Sequence, residues 1–417
     1  MNTQLAHRQL FYLFLCNLAI VFIGMGLFPI LPLYAMEFGA SPAVSGLYMA
    51  STYAAILSGT LVANRLACYI GRKRLFVATG LFSLPAVLLL GQATALWQVV
   101  LLTAIIWFAG GIGLILNNVF TGLIAGSHNR GKSFGLLQLS TPLGALVGGM
   151  TVSYLMAWRG YAWLFAVLSL VWAVWPLVGL LVRDRPGPVA AVGIVHQERE
   201  TAVSFTPSFK LLLLATLLLG VTLNVSRLGV PLSMRALSFS ASAVASTATI
   251  SGLVTIPVVY SVGALSDRLG RRRFLIASYG LAAVGALSLA FATHLWHFWL
   301  AATLILIAHS VSASVGAAMA ADILSPDKLG RGLAWLTSAG WFTGVIMFAV
   351  AGRLMEMVGS DALFLAVAFL AILAAWQLRR IHYGVSPKPT PAAERAAVSV
   401  KRTIQRRSTG VPETNTL

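Results

Sequence analysis

Charge is what this sequence has least of. Of its 417 residues only 10% are Asp, Glu, Lys or Arg, against 58% hydrophobic ones, and the mean hydropathy is +0.86. A water-soluble domain carries about 25% charged residues, so a body this apolar has too little polar surface for water to coat. Disorder is excluded from the other side, because disordered chains are poor in apolar residues. Cysteine is scarce as well. Cys16 lies in an apolar run and Cys68 beside a basic loop, which implies no disulfide framework. There is no Gly-x-x-x-x-Gly-Lys-Ser/Thr phosphate loop and no paired Cys or His motif, so no metal and no other cofactor is expected. The 11 carboxylates all fall outside the deep apolar stretches.

What the chain does have is long apolar runs. About 20 apolar residues cross about 30 Å of hydrocarbon. Twelve such runs are found, at 10–35, 43–64, 75–93, 97–126, 132–156, 161–182, 209–234, 241–265, 274–293, 298–321, 332–355 and 361–378. The pattern predicts an all-α, polytopic membrane protein with the lipid bilayer as its solvent and no room for an extramembrane catalytic domain, hence no enzyme. The first run follows His7 and Arg8, is too long for a signal-peptide core and lacks a cleavage site, so it reads as a retained span. One long break holds Arg183-Asp184-Arg185-Pro186-Gly187-Pro188. It divides the chain into an N-terminal bundle (1–182), a linker (183–208) and a C-terminal bundle (209–380), followed by a basic tail (381–417) without apolar periodicity, expected to be disordered.

The formal charge of +18 would suggest nucleic acid in a soluble protein. In a membrane protein basic residues hold loops in the cytoplasm instead, so no nucleic-acid partner is expected. With both termini cytoplasmic, Arg72-Lys73-Arg74, Arg130, Lys132, Arg183, Arg271-Arg272-Arg273, Lys328, Arg331 and Arg379-Arg380 all fall inside. Only Arg159, Arg235 and Arg353 fall outside, and Arg227 lies within a span.

The halves match at a constant offset of 199 residues: Pro32 with Pro231, Leu66 with Leu265, Gly71 with Gly270, Arg72 with Arg271, Gly131 with Gly330. An even number of spans separates equivalent points, so the copies share one orientation and are parallel repeats about the membrane normal.

Within the second copy, Gly263-x-Leu265-x-Asp267-Arg268-x-Gly270-Arg271-Arg272-Arg273 resembles the loop signature of the major facilitator superfamily. The stretch from Asp322 to Pro326 and Gly330-Arg331 resembles that family's loop before span 11, and the chain through residue 380 fits its 6+6 pattern. The resemblance implies two pseudo-symmetric six-helix bundles with a substrate site between them, exposed to each side in turn. Gly24-Met25-Gly26-Leu27-Phe28-Pro29-Ile30-Leu31-Pro32, and Gly135, Gly144 and Gly148 around Pro142, resemble the twelve-span drug:proton antiporters and related exporters. Trp107 stands where the antiporters carry an arginine in span 4. This branch implies efflux of a small organic compound across a bacterial inner membrane by a monomer, with a proton as coupling ion. Two alternatives stay open: uptake of an organic anion or sugar by symport or uniport, and a receptor or scaffold that transports nothing.

In the resembling family spans 1, 4, 7 and 10 line the cavity. The strongest polar residues here fall on those spans: Asn17, Asn117, Asn118, Asn224, Arg227 and His309. An ionisable group inside a span costs about 2.5–3.5 kcal/mol on insertion scales, so Arg227 and His309 need a reason to be there. His309, with an ordinary pKa of about 6.5, is the candidate to carry the coupled proton. The alternative is a neutral ring bonded to neighbours such as Ser310. Arg227 either meets an anionic substrate or snorkels to line a gate. The candidate switch residues are Gly71, Arg72, Gly263, Asp267, Arg268, Gly270, Arg271 and Asp322. Asp267 could face a helix N-terminus or the arginines in one conformation only; the basic residues could equally anchor the loop at anionic headgroups.

The first copy of the signature has Asn64 for its glycine and Cys68 for its aspartate. Restoring the carboxylate with Cys68→Asp is expected to bias the protein outward, read as changed thiol-labelling of cavity positions; unchanged labelling would reject the idea.

Overall fold

The computed structural model describes residues 3–124, 136–184, 205–324 and 326–381. Among these every element is helical: α1 (Thr3–Leu27), α2 (Leu31–Glu37), α3 (Pro42–Ile70), α4 (Arg72–Leu90), α5 (Leu96–Ile124), α6 (Ser140–Trp158), α7 (Gly160–Gly179), α8 (Pro207–Ala236), α9 (Ala241–Leu269), α10 (Arg271–Ala290), α11 (Leu295–Ile323), α12 (Pro326–Val358) and α13 (Ser360–Arg379). Twelve of them are long and apolar enough to cross a membrane; the short α2 is the exception. The linker and the tail expected from the sequence lie almost wholly outside the described residues.

The first expected span, 10–35, is two helices rather than one. Pro29 disfavours helical backbone at Phe28 before it, and without N–H groups Pro29 and Pro32 cannot continue the hydrogen-bond ladder. Pro32 is tolerated in the first turn of α2, where the missing donor has no partner to lose. Elsewhere helices overrun the apolar runs, as α3 does to Ile70 and α12 from Pro326. Apolarity reports the hydrocarbon layer alone, while backbone pairing continues beyond it.

The repeat is visible contact by contact. Gly71 (φ 90) and Gly270 (φ 98) each end one long helix and start the next, in the left-handed region that favours glycine. Ser41 and Ser240, also 199 apart, cap α3 and α9 through hydrogen bonds to the N–H groups of Val44 (3.4 Å) and Ala243 (3.3 Å). Lys73 Nζ donates to the Leu180 carbonyl at 2.7 Å after α7, and Arg272, its repeat mate, donates to the Arg379 carbonyl at the end of α13. In both places a cation satisfies a terminal carbonyl that helix geometry leaves unpaired. In the first half α1 packs on α5, α6 and α7, α3 on α5, and α4 on α5 and α7. The second repeats all six pairings: α8 on α11, α12 and α13, α9 on α11, and α10 on α11 and α13.

The halves meet along two seams that are themselves repeat mates, α3 with α12 and α6 with α9. Lipid tails are as apolar as leucine, so close helix contact depends on small residues. In the first seam Gly46 faces the Phe348 carbonyl and Gly352, and Gly352 faces the Pro42 carbonyl. In the second, a Cβ on Gly252 would lie 2.6 Å from the Pro142 carbonyl, and one on Gly149 2.6 Å from Thr249 N. Polar ties close the end that carries Ser41 and Ser240. The Ala43 N–H donates to Glu356 Oε1 at 2.9 Å, Ser153 Oγ donates to the Ser242 carbonyl at 2.9 Å, and Arg235 lies 3.9 Å from Glu37.

Gly352→Val should therefore pry this end apart without unfolding either half. In a Cys68→Ser background carrying Phe348→Cys, a fully buried seam position, labelling by an impermeant maleimide is expected to accelerate several-fold. An unchanged rate would contradict the seam's role.

Candidate functional site

The six polar residues singled out on four spans do not form one site. Asn17 on α1, Asn117 on α5 and Ser140 on α6 form a buried network inside the first half. Asn17 Nδ2 donates to Ser140 Oγ at 2.5 Å and to the Leu137 carbonyl at 3.4 Å, and Asn117 Nδ2 donates to Asn17 Oδ1 at 3.2 Å. Asn17 is 7% exposed and Asn117 0%, which makes them helix-to-helix ties in this conformation rather than a wetted wall. Asn118, the next residue, is half-buried. Asn224 turns back on its own helix and donates to the Gly220 carbonyl at 2.8 Å.

One of the six, Arg227, reaches across to the first half. Arg227 on α8 is half-buried. Its Nη1 donates to the Tyr53 hydroxyl on α3 across the seam at 3.5 Å, and its guanidinium carbon sits 5.9 Å from the Phe28 ring centroid. His309 lies midway along α11. Among the described residues the His309 ring makes no hydrogen bond, and Ser310 Oγ, the partner weighed from the sequence, is itself unpaired. A cavity of about 80 Å³ adjoins Arg227, lined by Met25, Phe28 and Ala145 of the first half and by Thr247, Ser251 and Ile305 of the second. Tyr53 on α3 contacts Phe348 (4.7 Å) and Trp341 (5.5 Å) on α12 across the seam, and the cavity-lining Phe28 at 6.1 Å.

Tyr53 is the functional candidate that sequence reasoning missed. Nothing in the linear pattern separates it from Tyr48 on the same helix, which is buried and bonded to Thr103 at 2.9 Å. Only the fold brings Tyr53 opposite Arg227, 174 residues away.

The loop residues gather at the Gly71–Gly270 end. Arg271 Nη1 donates to Asp322 Oδ1 at 2.9 Å and to the Ala318 carbonyl at 2.6 Å, tying the start of α10 to the end of α11 within the second half. Gly71 and Arg72 form the matching junction of α3 and α4. Gly263, Asp267 and Arg268 belong to the backbone of α9, and the surroundings of their side chains lie outside the described residues. Cys68 presents an exposed thiol at the place of Asp267 in the repeat.

The Major Facilitator Superfamily matches this sequence over residues 13–223 and again over 212–410, two matches whose starts are 199 residues apart. The chain is 28% identical over 306 residues to the multidrug resistance protein MdtG of Enterobacter lignolyticus, covering 68% of this chain and 72% of that one. It is 26% identical over 285 residues to MdtG of Salmonella choleraesuis, covering 64% and 69%. Among solved structures, an auto-inhibited POT family peptide transporter superposes with a TM-score of 0.72 at 13% identity, covering 93% of this chain and 99% of that one. The nucleoside transporter NupG gives 0.70 at 14%, covering 90% and 100%. At such identities these structures speak to the fold alone.

Removing one member of the Asn17–Asn117 pair strands the other in apolar surroundings, whereas replacing both by apolar groups removes the unmet demand. Asn117→Leu is thus expected to lower stability by about 1 kcal/mol, and Asn17→Leu with Asn117→Leu to recover part of it, read from melting in detergent. Loss of substrate flux in a double variant that melts normally would instead make the pair part of the substrate path.

Proposed function

The chain belongs to the Major Facilitator Superfamily and is a multi-pass membrane transporter, and from that premise we propose that it exports a small organic compound from a bacterial cytoplasm. The observation that carries the proposal is the cavity between the halves, where Arg227 is the one charged side chain in a mostly apolar lining drawn from both. Resemblance to the MdtG multidrug resistance proteins supports the direction. The halves would rock about the two seams, so that closure at the Ser41–Ser240 end alternates with closure at the Gly71–Gly270 end. The distribution of Lys and Arg supports a cytoplasmic Gly71–Gly270 end and cytoplasmic termini in the inner membrane. A monomer suffices, since both seams lie within one chain.

The proton is assigned to His309. Among the described residues its ring makes no hydrogen bond, it sits midway along α11, and no carboxylate lines the neighbouring cavity walls. A second reading, uptake of an organic anion, is favoured by Arg227, whose charge meets no carboxylate among the described residues.

Inverted membrane vesicles with an acid lumen test the direction against a panel of labelled drugs, sugars and aromatic acids. An exporter coupled to protons accumulates its compound in the lumen, and dissipating the gradient abolishes accumulation. His309→Ala should remove the gradient dependence while leaving exchange of internal for external substrate. Undiminished gradient-driven accumulation in His309→Ala would exclude the proton role. Loss of lumenal compound on acidification would favour uptake, and no flux under any gradient would leave a scaffold.

A further inference from the structure

Four arginines lie away from the basic loops, and three of them are matched. Arg235 faces Glu37, Arg353 faces Glu356 at 3.3 Å, and Arg159 stacks 4.3 Å from the Trp158 ring. Arg227 differs. A guanidinium offers five N–H donors, yet among the described residues the one acceptor it meets is the Tyr53 hydroxyl, at 3.5 Å. That is the long limit of a hydrogen bond, and the Phe28 ring at 5.9 Å contributes only a weak cation–π contact. A positive charge on the length of a membrane helix is costly unless it is compensated. Among the described residues no carboxylate supplies the compensating negative charge.

The adjoining cavity has the chemistry to admit one. Its lining contains Arg227 as the sole charged residue, and no carboxylate that would welcome a cation. The two lining hydroxyls are engaged on their own helix: Thr247 Oγ1 donates to the Val244 carbonyl at 2.7 Å, and Ser251 Oγ to the Ala248 carbonyl at 3.1 Å. The donors left for an incoming acceptor are therefore those of Arg227. A space of about 80 Å³ seats a headgroup rather than a whole organic molecule. Phe28 lines it and leads through ring contacts to Tyr53 (6.1 Å) and on to Trp341 (5.5 Å), an aromatic run suited to an apolar body.

We infer that the cargo is an organic anion with a flat apolar body, its carboxylate-like headgroup paired with Arg227 and its body against the Phe28–Tyr53–Trp341 run. This deepens the transport reading and rests on it only for the word cargo, since binding is measurable without transport. The pairing also unites the two readings of direction, because an exporter or an importer would use the same anion seat.

The test uses the purified full-length protein in detergent and three compounds of one shape: 2-naphthoate, 2-naphthamide and 2-naphthylmethylammonium. Binding is followed by tryptophan fluorescence and by melting temperature. The naphthoate is expected to bind about tenfold tighter than the other two, the scale of one charge-assisted contact. Arg227→Gln should erase that preference while leaving the amide's affinity unchanged, and Arg227→Lys should restore part of it. Tyr53→Phe should keep the preference, because the hydroxyl is not the charge partner. A role for Arg227 confined to latching the seam predicts the reverse, with Tyr53→Phe and Arg227→Gln equivalent and all three compounds alike. Equal binding of the three compounds, stronger binding of the cation, no Arg227-dependent naphthoate binding, or a full anion preference in a normally melting Arg227→Gln would each overturn the inference. An anion seat that behaves as described without flux in proteoliposomes would refute the transport reading and spare this one. Flux of neutral or cationic compounds with no anion preference would do the opposite.

Discussion

In a bilayer, apolar surface gives two helices no reason to leave the lipid for each other, so the halves of this molecule are joined by fit. That fit is backbone against backbone. Gly46 and Gly352 let α3 and α12 approach until carbonyls touch the opposite helix, and Gly149 and Gly252 do the same for α6 and α9. Because the seams are repeat mates, the interface has the approximate two-fold symmetry of the sequence. Larger residues would hold the halves apart and dissolve the small cavity beside Arg227, whose walls come from both.

The two ends of the molecule are tied differently, and this difference gives the halves their identity as bodies. At the Gly71–Gly270 end the described ties run within a half: Lys73 to Leu180, Arg272 to Arg379, Arg271 to Asp322. At the Ser41–Ser240 end they run between halves, as with Glu356 on Ala43 and Ser153 on Ser242. Internal ties at one end and described interfacial ties toward the other suit two rigid units that part and rejoin. A carboxylate at the N-terminus of α3 also meets the positive end of the helix dipole.

Much of this architecture was legible in the sequence because lipid imposes it. Apolar length locates helices, the basic residues bias orientation, and the offset of 199 declares the repeat. The double helix of the first span was not read, although Pro29 and Pro32 were in view, since hydropathy is blind to backbone breaks. The polar residues were harder. Asn17 and Asn117 look the same in sequence whether they line water or bond to each other, and only packing shows that they meet across α1 and α5. Asn224 spends its amide on its own backbone, which no spacing rule foretells. Tyr53 became visible only through its partner across the seam. Arg227 stood out from the beginning for an energetic reason, a charge on an apolar helix, and the structure sharpens it by showing how little protein surrounds that charge.

The account's central claim is that two rigid halves exchange closure at one end for closure at the other. It is tested most directly by distances between paired spin labels across the α3–α12 seam, one pair near Ala43 and Glu356, another near Cys68 and Trp335. On adding a bound ligand or changing pH, the account predicts opposite movements, the first distance lengthening as the second shortens. Distances that stay fixed, or that lengthen at both ends together, would contradict it.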